Sequence, residues 1–99
     1  MDKHDKKYDF NDLVEIMAKL RSDSGCPWDK EQTHESITTC LIEEAYETCD
    51  AIIDNDIEKM TEELGDVLLQ VVFHAQIGKE NGTFDLSDIT DGICRKLIF

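Results

Sequence analysis

The sequence predicts an all-α chain, a four-helix bundle-like single domain, and three observations carry that expectation. Apolar residues recur at i, i+3, i+4 and i+7 in several windows, the spacing of one helix face. No stretch alternates apolar and polar residues in the way a half-buried strand does. The single proline and two of the five glycines, Gly25 and Gly82, fall between the periodic segments, where chain breakers belong.

Each element has its own signal. A first helix is predicted from about Asp9 to Arg21, with Leu13, Ile16, Met17 and Leu20 on one face. A loop, "SDSGCPWDKEQT", follows. A second helix is predicted between Thr33 and Asp54, with Ile37, Leu41, Ala45, Thr48 and Ile52 as its apolar stripe. "DND" interrupts it, and Asn55 with Glu58 has the spacing of a capping box for a third helix. That helix should run to Asn81 and stop at Gly82, the residue type that most readily adopts the left-handed terminating conformation. A fourth is expected after "FDLSD", carrying Ile89, Ile93 and Leu97. Around "VLLQVVF" apolar side chains point in nearly every direction, so the third helix should be surrounded. In 99 residues that implies a core completed by a second copy, a homodimer or higher homo-oligomer.

Composition narrows the class. The formal charge of −13 argues against nucleic acid or an anionic membrane as partner. No apolar run approaches the ~20 residues that span a bilayer. The opening "MDKHDKKYDF" has charge without an apolar core and is not a signal peptide, so residues 1–8 are expected to be flexible and the protein cytoplasmic. Cys26, Cys40, Cys49 and Cys94 show no paired spacing and are read as reduced, structural thiols.

The acids are not scattered. Cys40, Glu44, Glu47 and Ala51 form one helical row, and Glu63, Asp66, Gln70, Phe73 and Ile77 form another. Both rows end in small or apolar residues, so the carboxylates share stripes with residues expected to be buried. Two helices joined by the short "DND" turn should run antiparallel. Glu47 then lies about eight residues before the turn and Glu63 about eight after, which sets the two pairs at similar height. Four carboxylates in a small volume cannot all ionise cheaply, and a divalent cation removes that cost. Oxygen ligands suit a hard ion: Mg²⁺, with Mn²⁺ as a substitute. The competing reading is a solvated acidic surface. A di-iron site needs a Glu-x-x-His on two helices, and no such motif occurs; His74 lies roughly 12 Å along the helix from Asp66. Gly65, off the acidic row, is expected to let another helix approach closely.

These residues resemble a known family. "EEAYE" (Glu43 to Glu47), then 15 residues, then "ELGD" (Glu63 to Asp66) is similar to the E-E-x-x-E … E-x-x-D signature of MazG-type nucleotide pyrophosphohydrolases. "GCPWDKEQTHESI", "LLQVVFHAQI" and "GTFDLSDI" agree with it, so the resemblance extends over about Phe10 to Ile98. It implies hydrolysis of nucleoside triphosphates to monophosphate and pyrophosphate with Mg²⁺, in a nucleotide-pool house-cleaning role, by a dimer that completes a helical bundle. Glu44, Glu47, Glu63 and Asp66 match the metal-binding acids, and Glu43 the leading acid of the motif. Glu47 or Glu43 is the expected general base for attack of water on phosphorus, and the sequence does not choose between them.

Four further residues are candidate substrate contacts, each with a plainer alternative. Trp28 could stack on a base or anchor its loop; Lys30 could meet phosphate or only solvent. Arg95 and Lys96 could meet phosphate or serve the helix dipole. His34 is a candidate helix cap. Relatives of this type usually continue past "RKLI" with a basic His-Pro-His segment, whereas the sequence stops at Phe99, so part of the substrate wall is expected to be missing. The enzymatic alternatives are a dUTP/dCTP hydrolase and a phosphoribosyl-ATP pyrophosphohydrolase. The non-enzymatic one is an acidic helical interaction or nucleotide-sensing module.

Overall fold

Asp9 opens the first helix by closing a capping box with Asp12: each carboxylate accepts from the other's backbone N–H at 2.9 Å. The helix that follows, α1, spans Phe10–Leu20. These coordinates come from a computed structural model that describes residues 6–99. Of residues 1–8, expected to be flexible, the first five lie outside the described residues.

The described chain forms two compact units, one ending at Glu31 and one running from Gln32 to Phe99. In the first, Met17 is the buried member of the α1 stripe, while Ile16 stays half exposed. The segment expected to be a plain loop contains a single-turn helix, α2, Pro27–Glu31. Among the described residues five helices therefore stand where four were expected. Proline at the first helical position lacks only an N–H that would have no partner there, so it starts the turn without loss. A helix of one turn is too short to show a periodic pattern. The Arg21 guanidinium donates to the Asp29 carbonyl and ties the end of α1 to α2.

The second unit is built around one long helix. Thr33 and Ser36 exchange backbone-to-hydroxyl hydrogen bonds at 2.8 and 3.1 Å, closing a turn before α3, Thr38–Ile53. Asn55 then takes a left-handed conformation at φ 54°, which asparagine tolerates better than most residues. It closes α3 rather than opening the next helix. The N-cap of α4, Ile57–Asn81, is Asp56, whose carboxylate accepts from the Lys59 N–H at 3.1 Å. The Asn55–Glu58 capping box is thus replaced by an Asp56 cap one residue on. Gly82, at φ 70°, ends α4 as expected, and the Thr83 N–H returns to the Gly78 carbonyl at 3.0 Å. The last helix, α5, spans Leu86–Ile98 and starts inside "FDLSD", capped by an Asp85–Asp88 box. Phe84 and Ile89, on either side of that box, line one apolar depression, in the positions of a hydrophobic staple.

Within this unit α4 packs against α3 and, less extensively, against α5. The core is Ile37 and Ala51 with Val72, Phe73, Ala75 and Ile77. The acidic row predicted on α4 is its buried row: Glu63, Gln70, Phe73 and Ile77 are buried and Asp66 half-buried. The stripe predicted for α3 is displaced. Ile37 and Thr48 are buried, but Leu41, Ala45 and Ile52 are exposed, and burial centres on Cys40, Glu44, Thr48 and Ala51. The turn at Asn55 sets which face of α3 meets α4, and that face is the one carrying the acids. Its most apolar face is left outward.

Two further expectations change. A Cβ on Gly65 would meet nothing within 4 Å among the described residues, so the close approach expected there is not seen. The close approach is at Gly78, where a Cβ would meet the Phe84 carbonyl oxygen at 2.8 Å and its ring at 2.9 Å. All four cysteines are free thiols, but Cys49 and Cys94 are exposed and take no part in a core. No helix among the described residues is long and apolar enough to cross a membrane.

Candidate metal centre

The short connection between α3 and α4 makes them antiparallel neighbours and brings the two acidic rows face to face. One carboxylate oxygen each from Glu44, Glu63 and Asp66 lies within 4.8 Å of the other two. Glu63 is buried, at 8% exposure, and Glu44 and Asp66 are half-buried. Carboxylates this close and this dry repel one another strongly. Glu63 responds with its carboxyl raised to about 7, first by burial, then by a hydrogen bond with Glu47 and by the charges of Glu47, Glu44 and Asp66. Glu44 is also raised, first by burial and then by Asp66 and Glu47, while a hydrogen bond with Glu63 acts in the opposite sense.

Among the described residues the buried polar atoms without a partner are His74 Nε2 and three oxygens. Glu44 Oε2, Glu63 Oε2 and Gln70 Oε1 are buried and receive no hydrogen bond. Buried acceptors without a donor cost free energy, and a set of oxygens only is the donor set of a hard divalent cation. The residues present therefore fit such an ion.

Of the predicted site residues, the structure brings Glu44, Glu63 and Asp66 into one cluster and sets Glu47, exposed, close enough to raise the Glu63 carboxyl. Glu43 is exposed and reaches the cluster only through its charge, the last cause acting on Glu44. Trp28 and Lys30 belong to the other unit, where Trp28 is largely exposed and Lys30 pairs with Asp23 at 2.7 Å. Arg95 is held by Asp91, one turn earlier on α5, at 2.8 Å, and Lys96 is exposed.

Sequence reasoning placed Gln70 on the acidic row but gave it no role; its position four residues after Asp66 was the available signal. It missed a second feature entirely. His34, expected as a helix cap, instead stacks on His74 with ring centroids 5.1 Å apart and Nδ1 atoms at 2.8 Å, and Phe84 stacks on His34 at 5.7 Å. Two histidines 40 residues apart leave no local pattern to read.

Comparison with known proteins identifies the family. A family described as the MazG nucleotide pyrophosphohydrolase domain matches residues 32–99, over half of the chain. The chain belongs to the MazG family. The MazG match coincides with the second compact unit, the one that holds the acidic cluster. A nucleoside triphosphate pyrophosphohydrolase/pyrophosphatase MazG of Thermotoga maritima is 56% identical over 89 residues, 90% of this chain and 35% of that protein. A nucleoside triphosphate pyrophosphohydrolase of Escherichia coli strain K12 is 50% identical over 86 residues, 86% of this chain and 33% of that protein. An uncharacterized Bacillus subtilis protein, YabN, is 48% identical over 91 residues, 92% of this chain but 19% of its own length. The chain thus spans about a third or less of these MazG relatives.

Proposed function

We propose that this chain is a Mg²⁺-dependent nucleoside triphosphate pyrophosphohydrolase, converting (d)NTP and water to (d)NMP and pyrophosphate in nucleotide-pool house-cleaning. The observation that carries this reading is the α3–α4 cluster of Glu44, Glu63 and Asp66, with its undonated buried oxygens. Relatives named as nucleoside triphosphate pyrophosphohydrolases, similar over most of this chain, support it.

Glu44, Glu63 and Asp66 would hold the cation, with Glu47 at the edge of the set. When bound, the ion would offset the charge of both carboxylates and phosphates and make water more acidic. The chain's own part is to place acceptors around the reacting water. Glu47 is favoured over Glu43 as general base because it is the one of the two that acts on the Glu63 carboxyl, raising it. In this mechanism the Glu47 carboxylate takes a proton from water as its oxygen attacks phosphorus. The P–O bond that bridges the α- and β-phosphorus breaks, and with attack at the α-phosphorus its electron pair leaves with pyrophosphate, the monophosphate keeping the oxygen of the water.

The apolar faces that α3 and α4 leave exposed support a homodimer within the same reading. Ile42, Ile53, Ile57, Leu64 and Leu68 are all exposed, more than one small chain ordinarily leaves open.

The deciding experiment incubates the protein with each NTP and dNTP and Mg²⁺. Pyrophosphate and monophosphate in equal amounts are expected. Orthophosphate with diphosphate would refute the cleavage position. Nucleotide binding without any product would favour the sensing module.

A further inference from the structure

Gln70 is an unusual residue to find nine-tenths buried beside a cluster of carboxylates. It follows Asp66 by four residues, so the two side chains are neighbours on one helix face, with Cβ atoms roughly 6 Å apart. Its row also holds Glu63, and that row is the one α4 turns toward α3. The amide oxygen, Oε1, accepts no hydrogen bond. Glu44 Oε2 and Glu63 Oε2 share that condition, and none of the three oxygens finds a donor among the described residues.

Each of these oxygens needs a donor or a cation. The carboxylates can meet an ion directly. A neutral amide one turn farther along the helix suits a different task, because Mg²⁺ keeps several waters and each water has protons to donate. We propose that Gln70 is a positioning residue of the acidic centre, its amide oxygen accepting a hydrogen bond from a water of hydration of the cation held by Glu44, Glu63 and Asp66. This rests on the metal-centre reading above and extends it to a residue that makes no contact with the ion. An acceptor there fixes the orientation of one water in the shell. Partners of this kind ordinarily change metal affinity or activity by about 10–100-fold when removed.

The test uses Mg²⁺ as the probe on the whole chain, with affinity read by calorimetry and melting temperature read with and without the ion. Gln70→Met keeps the shape and removes the acceptor. Its melting temperature without Mg²⁺ should match or exceed that of the wild type, because an undonated buried oxygen is gone. Its Mg²⁺ affinity should fall by about 10-fold or more. Gln70→Glu keeps an acceptor and should bind Mg²⁺ within a few-fold of the wild type, while melting lower without the ion through added like-charge repulsion. Wild-type affinity in Gln70→Met would overturn the proposal, as would an equal loss in both variants. Should Gln70→Met not fold, Gln70→Glu decides alone: retained affinity supports the assignment and a tenfold loss refutes it. Absence of Mg²⁺ binding by the wild type would instead overturn the metal centre itself, and this assignment with it.

Discussion

At the scale of single residues, the decisive fact is that Glu63 holds a proton more firmly than an ordinary glutamate. Its carboxyl is raised to about 7 by burial, by Glu47 and by its acidic neighbours. A carboxyl raised on folding binds its proton more tightly in the native state. The stabilising effect is complete below the unfolded value near 4.5 and is lost as pH rises through about 7. Without metal, Glu63→Gln should therefore melt above the wild type at pH 8, and the gap should close near pH 5. Thermal scans at the two pH values check this, and a gap that does not change with pH would contradict it. His74, held below the usual histidine range by burial and by His34, acts in the other direction. Its contribution is present above about 6.5 and fades as pH falls, which is why the comparison must be made between variants rather than along one curve. Binding of Mg²⁺ must also displace the Glu63 proton below pH 7, so calorimetry in two buffers of different ionisation heat should show proton release. Glu47→Gln should abolish pyrophosphate formation while leaving the fold intact by circular dichroism; near-normal turnover would remove Glu47 from the base role.

At the scale of elements, caps and glycines decide where helices stop and how closely they pack. Asp85 closes its box with Asp88 at 3.0 Å in both directions, so Asp85→Ala should cost about 1 kcal/mol in urea unfolding. Gly78→Ala places a methyl group 2.8 Å from a backbone oxygen that cannot swing aside, and should cost about 1–3 kcal/mol. Gly65→Ala meets open space in this chain. In a single chain it should gain up to about 1 kcal/mol from helix propensity alone. The contrast between two glycines of the same helix follows from their neighbours: Phe84 crosses Gly78, and among the described residues nothing comes within 4 Å of a Cβ at Gly65. Helix existence was legible throughout, because caps, breakers and periodicity are local. The short α2 and the Asn55 turn were not, since one turn of helix carries no period and asparagine suits both a cap and a left-handed stop.

At the scale of the whole molecule, the exposed apolar faces of α3 and α4 call for cover. Ile53 is 78% exposed and Ile57 65%, on either side of the turn that joins the two helices. Light scattering at micromolar concentration is expected to give a dimer. Ile53→Asp with Leu68→Glu should reduce it to a monomer, and a monomeric wild type would sink the homodimer reading. The same measurement on Gly65→Ala asks whether a second copy supplies the close neighbour that this chain does not.

Sequence alone determined the helical class, the two acidic rows and the height at which they meet, because helix period and a short turn fix all three. The α4 row of Glu63, Asp66, Gln70 and Phe73 was read correctly for that reason. Tertiary structure alone decided which face of α3 turns inward. The left-handed turn at Asn55 aims Glu44 at Glu63 and Asp66 and leaves Leu41 and Ile52 outward, against their hydrophobicity. It also decided that Gln70 carries an undonated oxygen and that His34 stacks on His74. Such facts depend on contacts between residues distant in the chain, and no local spacing encodes them.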